Sequence, residues 1–184
     1  MITASIKKRE NIAEYLLYMW QIEDLIRANK LDIDNIQTSI IDQYKDLTEG
    51  QRKEMRDWYE SLIDMMRREG VVAKGHLQIN KNVIISLEDL HRQLLSNDKF
   101  ASYSAQFYHS LPIIVELRAK SGDNKSGEIE TCFNALYGIL LLRLQGKNIS
   151  EETQQATAQI SKFLAVLAMY YKKDYNNELF TDNQ

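Results

Sequence analysis

Residues 128–146 read EIETCFNALYGILLLRLQG, and this stretch decides the class of the fold. Its apolar side chains recur at spacings of three and four residues, which is the period of an α-helix. Placed at about 100° per residue, they cover far more than the arc of about 100° that a surface helix needs. A helix that is apolar on most sides predicts a central position in a helical bundle, or a face that meets a partner subunit.

The same period continues along nearly the whole chain of 184 residues. It predicts an all-α, single-domain helical bundle of about seven helices, with the domain at 1–175 and a polar C-terminal tail at 176–184. Seven Gly and one Pro are few, which argues against a loop-rich or all-β protein. The predicted helices span 5–29, 33–46, 48–69, 86–97, 98–120, 126–146 and 150–174.

Capping residues and one proline indicate where these helices start, bend and end. Thr48, Ser86 and Ser150 are the predicted N-caps, because a Ser or Thr side chain accepts a bond from a backbone N–H in the first turn. Gly146 stands where a C′ glycine ends the preceding helix. Pro112 lies inside 98–120, but the apolar stripe keeps its phase across the proline, so one kinked helix is favoured over two.

Residues 70–85 read GVVAKGHLQINKNVII and depart from the helical period. The alternation of apolar and polar residues and the Asn-Lys-Asn centre are typical of a small β-hairpin near 71–85. An irregular crossover between two helices is the alternative, and the sequence leaves both open.

Three charged residues interrupt apolar helix faces. Glu23 lies in the middle of the wide apolar arc of the first helix, and Arg118 and Arg143 extend apolar stripes on two later helices. Because an unpaired buried charge is costly, we expect Glu23 to meet Arg143 or Arg118. This candidate buried polar cluster either fixes helix register, or forms the polar floor of a ligand pocket, or lies at the end of the bundle and reaches water.

The sequence contains no recognisable catalytic, metal or cofactor signature. A single cysteine, Cys132, excludes an intramolecular disulfide and a thiolate zinc cluster. Glu88 and His91 have the spacing of half a di-iron site, but no second Glu-x-x-His follows, so no metal is predicted. Neither a Walker loop nor Gly-x-Gly-x-x-Gly occurs, so no cofactor is predicted. Tyr108 and His109, on the helix that contains Pro112, are the remaining pocket candidates.

Composition limits the partners that the protein is expected to bind. The 23 basic and 26 acidic residues give a net charge of −3 and form no basic groove, which argues against nucleic-acid binding. The sequence has no stretch of about 20 predominantly apolar residues, so no membrane span is predicted. The N-terminal segment MITASIKKREN has no apolar signal-peptide core, which predicts a cytoplasmic protein. Ten tyrosines fit a core boundary or a protein interface.

Five blocks are distinctive as text: ENIAEYLLYMWQIEDLIRA at 10–28, GHLQINKNVIIS at 75–86, ELRAK at 116–120, EIETCFNALYGILLLRLQGK at 128–147 and QISKFLAVLA at 159–168. Together they resemble a family of short bacterial proteins known only as a domain of unknown function. The resemblance implies an all-helical single domain. It brings no activity, ligand or site residue with it.

The sequence therefore favours a non-enzymatic cytoplasmic protein that acts through protein–protein contacts or self-association. The alternative is a small-molecule binding protein or enzyme with a polar pocket around Glu23, Arg118 and Arg143. Tyr108 or His109 would then lie beside that pocket.

Overall fold

The fold is built from α-helices. The computed structural model describes residues 2–122 and 126–180, with side chains from Ala4 onward. Eight α-helices lie in these ranges: α1 (Ile2–Glu10), α2 (Ile12–Ala28), α3 (Ile33–Ser39), α4 (Glu49–Arg68), α5 (Gln78–Leu95), α6 (Ala101–Ser121), α7 (Glu128–Leu144) and α8 (Glu151–Tyr175). The described residues contain no strand, so the all-α prediction is confirmed. The last four residues of the predicted tail, 181–184, lie outside the described residues.

Side-chain caps explain where several helices begin. The predicted helix 5–29 is divided at Asn11, whose side-chain oxygen accepts a hydrogen bond from the Ala13 amide at 3.0 Å and so starts α2. Thr48 and Gln51 form a reciprocal capping box at the start of α4, as expected for the Thr48 N-cap. The N-cap prediction for Ser150 is also confirmed, since its side chain accepts a bond from the Thr153 amide.

Gly146 ends α7 as predicted, and Pro112 does not end α6. Gly146 adopts a left-handed conformation with φ of +68°, and its N–H donates to the Arg143 carbonyl while the Lys147 N–H donates to the Leu142 carbonyl. These two bonds form a Schellman motif that satisfies the last carbonyls of the helix. Pro112 lies inside α6, which continues as one helix across it.

The predicted hairpin near 71–85 is wrong, because α5 already begins at Gln78. Only residues 71–77 are irregular, so the crossover alternative describes the shorter segment. The physical reason is a buried stripe of helical period that the local alternation hides. Its members are Leu77, Asn80, Ile84, Leu87, Leu90 and Leu94. The Ser86 N-cap is wrong for the same reason, since Ser86 lies within α5.

The described residues group into two compact units. One contains the residues up to Glu10 and Glu14–Asn82, and the other contains Asn11–Ala13 and the residues from Val83 onward. The boundary between the units therefore falls inside α5. Whether 1–175 unfolds as the single predicted domain stays a prediction.

Each unit has its own buried apolar core. In the first, α2 and α4 contribute large side chains that are almost fully buried, including Leu16, Trp20 and Tyr59. In the second, α6, α7 and α8 pack against one another in pairs, around buried rings such as Tyr103 and Phe163. None of the described helices combines the length and apolar character that crossing a membrane requires.

Candidate functional site

Helix α7 is buried on one side and apolar on both. Ile129, Cys132, Phe133 and Tyr137 point into the core of the second unit, and each is at most 9% exposed. These four residues share one side of a helix with about 100° per residue. The opposite side of α7 is the part of the wide apolar arc that does not pack into this core.

The opposite side of α7 lines a groove with a cavity volume of about 490 Å³. Ala135, Gly138, Leu141 and Leu142 are half-buried there, and they are spaced at three and four residues so that they share one helix face. Leu117 of α6 and Ala156 of α8 are among the residues that complete the walls. We name this cavity the α7 groove.

The polar residues of the α7 groove are neutral. Asn134 of α7 and Gln145, the C-cap residue that follows α7, lie at its two ends, and Thr153 and Thr157 lie on α8. The Thr157 hydroxyl donates to the Thr153 carbonyl at 2.6 Å, so that hydroxyl is satisfied within its own helix. Among the described residues that line the groove, none carries a charge.

Charges lie instead at the two ends of α7. Glu128 and Glu130 occupy its first turn, and Arg143 lies in its last turn. Arg118 Nη2 lies 3.6 Å from Glu128 Oε1 across the start of the helix. Arg143 is exposed, so its charge remains in contact with water. Arg118 and Arg143 therefore belong to the surroundings of α7.

Glu23 is a carboxylate with no exposed surface. Its Oε1 accepts hydrogen bonds from the Leu77 amide at 2.9 Å and from Asn80 Nδ2 at 2.7 Å. Its Oε2 lies 2.6 Å from His76 Nδ1. An ionised carboxylate only accepts hydrogen bonds, so a His76 ring with its proton on Nδ1 is the form that donates this bond. Both carboxylate oxygens are thus used by donors of the same chain.

His76 is held on two sides. Its ring stacks on the Trp20 ring with centroids 4.1 Å apart and an interplanar angle of 13°. Its side chain is 29% exposed, while Glu23 beneath it is fully buried. Arg27, one turn after Glu23 on α2, donates to the carbonyls of Val71 and Gly75. The irregular segment 71–77 is therefore fixed to α2 by a carboxylate, a ring stack and a guanidinium.

The described hydrogen bonds of Glu23 do not include the expected arginine, and the predicted cluster of Glu23, Arg118 and Arg143 stays a prediction. Among the described residues, the bonds of Glu23 go to His76, Leu77 and Asn80, and Arg118 pairs with Glu128. Neutral amide donors and a histidine stabilise a buried carboxylate by hydrogen bonding, so no second permanent charge has to be desolvated.

Tyr108 and His109 lie on the outer surface of α6. Tyr108 is 61% exposed, and His109 is exposed. The His109 carbonyl accepts a bond from Gln159 Nε2 at 2.5 Å, which ties α6 to α8 just before Pro112. Neither residue lines the α7 groove.

His91 is a core residue of the second unit. Its Nδ1 lies 2.5 Å from the Tyr103 hydroxyl, and its ring contacts those of Phe107 and Phe163. Desolvation lowers the pKa of His91 to about 4, so Nδ1 of the neutral ring can accept a hydrogen bond that the Tyr103 hydroxyl donates. Within the described residues, no group of three or more His, Cys, Asp or Glu side chains is arranged to hold a metal ion.

Glu88, the other residue of the Glu-x-x-His spacing, contacts the N-cap residue of α7. Its carboxyl group packs directly on Gly127, where a Cβ atom would lie 1.8 Å from Glu88 Oε1. Burial is the largest cause that raises the pKa of Glu88, and the Glu130 carboxylate is the next. Glu88 and His91 thus serve different contacts in spite of their spacing.

Sequence reasoning missed the partners of Glu23 and the position of the groove. Asn80 could have been found, because it interrupts the apolar stripe Leu77–Ile84–Leu87 as Glu23 interrupts that of α2. The hairpin interpretation hid that signal. The groove depends on the distances from α7 to α6 and α8, and the sequence pattern does not specify those distances.

Comparisons with known proteins are limited to one family. No curated protein and no solved structure matches the chain. A family model described as a domain of unknown function (DUF4924) matches residues 1–178. This match covers nearly the whole chain.

Proposed function

The chain belongs to the DUF4924 family, and because that family has no assigned activity, we propose from the geometry that the protein acts by self-association. The contact surface in this proposal is the outward side of α7 together with the walls of the α7 groove. The protein then works as a non-enzymatic binding partner of a second copy of itself.

One observation carries the proposal: the C-terminal half of α7 remains apolar where the core of its own unit does not cover it. Leu141 and Leu142 are only half-buried within their own chain, so both keep apolar surface beside the groove. Covering apolar surface stabilises a complex by roughly 25 cal/mol per Å². Contiguous apolar surface beside a groove is typical of an interaction site.

The polar-pocket alternative has less support. A pocket around Glu23, Arg118 and Arg143 would need a carboxylate with a free oxygen, and both oxygens of Glu23 accept bonds from its own chain.

The α7 groove has the volume of a small-molecule site, since such sites span about 300–1,000 Å³. Its apolar walls would select an apolar ligand, which makes this the second candidate function.

We place this activity in the bacterial cytoplasm, in line with the family resemblance. Cys132 is a free and buried cysteine, and burial raises the pKa of its thiol to about 12. Disulfides are rare in reducing compartments, and a free buried thiol is in line with such a compartment.

Sedimentation equilibrium over a wide concentration range tests self-association. We expect a reversible dimer for the unaltered chain and a monomer for Gly138→Lys. A side chain at Gly138 meets no atom within 4 Å, so the variant retains its fold while the lysine fills the groove. Removal of a mid-helix glycine should also raise the stability of the isolated monomer by about 1 kcal/mol.

Leu144→Lys is the matched control for this experiment. Leu144 lies on the same helix but does not line the groove, so the same replacement there should leave the dimer intact. A monomer for the unaltered chain at every concentration would contradict the proposal. Equal dimerisation of all three proteins would place the contact elsewhere on the molecule.

A further inference from the structure

Side-chain size is unevenly distributed along the α7 groove. Asn134 and Ala135 lie on the N-terminal side of Gly138, and Leu141 and Leu142 lie on its C-terminal side. All of them share the outward face of α7, on which residues recur at spacings of three and four. The N-terminal half of this face therefore has small or polar side chains, and the C-terminal half has large apolar side chains.

This asymmetry matches an antiparallel copy of the same helix. In a twofold pair that crosses at Gly138, the residue n positions after Gly138 faces the residue n positions before it in the second copy. Leu141 then faces Ala135, and Leu142 faces Asn134. A parallel pair would set leucine against leucine and alanine against alanine, which leaves gaps that a close-packed interface does not contain.

Charge favours the same direction. The first turn of α7 contains Glu128 and Glu130, whereas its end contains Arg143 and is followed by Lys147. Arg118 of the same chain already lies 3.6 Å from Glu128, so the complementarity is that of two acids and one arginine at the start of α7 with Arg143 and Lys147 of the second copy. An antiparallel pair brings these two ends together, and a parallel pair brings like ends together. The two helix dipoles are also opposed in the antiparallel pair, which is the favourable direction.

From these complementarities in size and charge we infer that the occupant of the α7 groove is α7 of a second copy, which runs antiparallel about a twofold axis at Gly138. The inference rests on the proposed self-association and adds the segment, direction and register of the contact. The absence of charge along the groove walls is consistent with an apolar helix face as the occupant. Gly138, with open space around its Cα, permits the closest approach at the axis.

Disulfide cross-linking of variants that each carry one added cysteine beside the native Cys132 tests direction and register. The native Cys132 has no exposed surface, so the unaltered chain provides a baseline without cross-links. We expect Gly138→Cys to cross-link with itself, because a residue on the axis meets its own copy and disulfides need Cα atoms within about 7 Å. Ala135→Cys and Leu141→Cys should each fail alone and cross-link when they are mixed.

The controls separate this inference from the proposed function. Leu144→Cys, away from the groove, should form no cross-link in any mixture. A dimer in which Ala135→Cys cross-links with itself would show a parallel pair and overturn the inference, while self-association would stand. A chain that sediments only as a monomer would overturn both.

A fluorescent apolar dye, anilinonaphthalene sulfonate, tests for the other occupant. In the dimer we expect the groove to be closed to the dye and Gly138→Lys to bind no more dye than the unaltered chain. A monomer that binds the dye one to one, with binding lost in Gly138→Lys, would identify a small apolar ligand and overturn the inference.

Discussion

Glu23 shows how a single residue can organise distant parts of one unit. It lies on α2, and its three donors lie 53–57 residues later in the chain. Its full burial means that these bonds replace all of its contacts with water. A buried acceptor of this kind is stabilising only while its donors remain in place, because the loss of a donor would leave a buried oxygen of Glu23 unsatisfied.

We predict that Glu23→Ala lowers the free energy of unfolding by roughly 2–6 kcal/mol, because the buried Leu77 amide and Asn80 Nδ2 each lose their acceptor at about 1–3 kcal/mol. Urea unfolding measures this difference. Glu60→Ala is the matched control, since Glu60 is exposed and lies 3.6 Å from Arg56 on the surface of α4. That change should cost less than about 1 kcal/mol, and an equal effect of the two variants would disprove the role of Glu23.

His91 is expected to make stability depend on pH. Burial lowers the pKa of His91 to about 4 in the folded chain, compared with about 6.5 when it is unfolded. The unfolded chain therefore binds more protons between these values, and stability falls as the pH drops from about 6.5 to 4. If the shift has this size, we expect His91 to account for about 3 kcal/mol of the stability that is lost across this pH range.

Denaturant unfolding at several pH values measures this effect. In His91→Gln the slope below pH 6.5 should become shallower, while the glutamine oxygen can still accept a bond from the Tyr103 hydroxyl. His109→Gln removes an exposed histidine and should leave the slope unchanged. A slope that His91→Gln does not alter would assign the acid sensitivity to other groups.

At the scale of elements, capping chemistry could be predicted and helix length in some places could not. The Thr48, Ser150 and Gly146 signals act within one helical turn, so local sequence suffices for them. The start of α5 depends on Asn80 and Leu77, which reach Glu23 on another helix. Long-range contacts of this kind override the local alternation that resembled a hairpin.

The capping box of α4 gives a prediction at this scale. Thr48→Ala should lower the free energy of unfolding by about 1 kcal/mol, because the Gln51 amide loses its acceptor at the helix start. Thermal unfolding followed by circular dichroism measures the loss. Ser61→Ala, within the same helix and exposed, should change stability by no more than about 0.5 kcal/mol. Equal losses in both variants would refute the capping role.

Helix α7 shows how far periodicity can predict a functional surface. Its wide apolar arc indicated that protein must cover it, in the centre of a bundle or at a partner. The core side, with Ile129, Cys132 and Phe133, fits the first explanation. The outward side, with Gly138 and Leu142, is the surface that we propose for the second explanation. The division between the two sides depends on how α6 and α8 pack, which a hydrophobic pattern does not contain.

At the scale of the whole molecule, the fold class follows from composition and period, while the division into units does not. Scarce Gly and Pro and a continuous helical period were sufficient for the all-α class. The boundary inside α5 has no linker, proline or change of charge to mark it. Compactness arises from contacts between helices, so it becomes visible only in the structure.

We predict that the two units nevertheless unfold together, because α5 contributes residues to both. Both tryptophans, Trp20 and Trp58, lie in the first unit, so their fluorescence reports that unit, whereas circular dichroism reports helices of both. The two guanidinium transitions should coincide, which is the standard test of two-state behaviour. A fluorescence transition that precedes the loss of helix would show two separate folding units.

The distance in sequence between Glu23 and Asn80, 57 residues, also has a consequence for biosynthesis. A ribosome adds about 5–20 residues per second, so α2 is made roughly 3–11 s before its last donor. During that interval α2 is an apolar segment of the nascent chain, and water must still hydrate the Glu23 side chain within it. The first unit can mature only after the beginning of α5 has left the exit tunnel, and chaperones that shield emerging chains would act on α2 in that window.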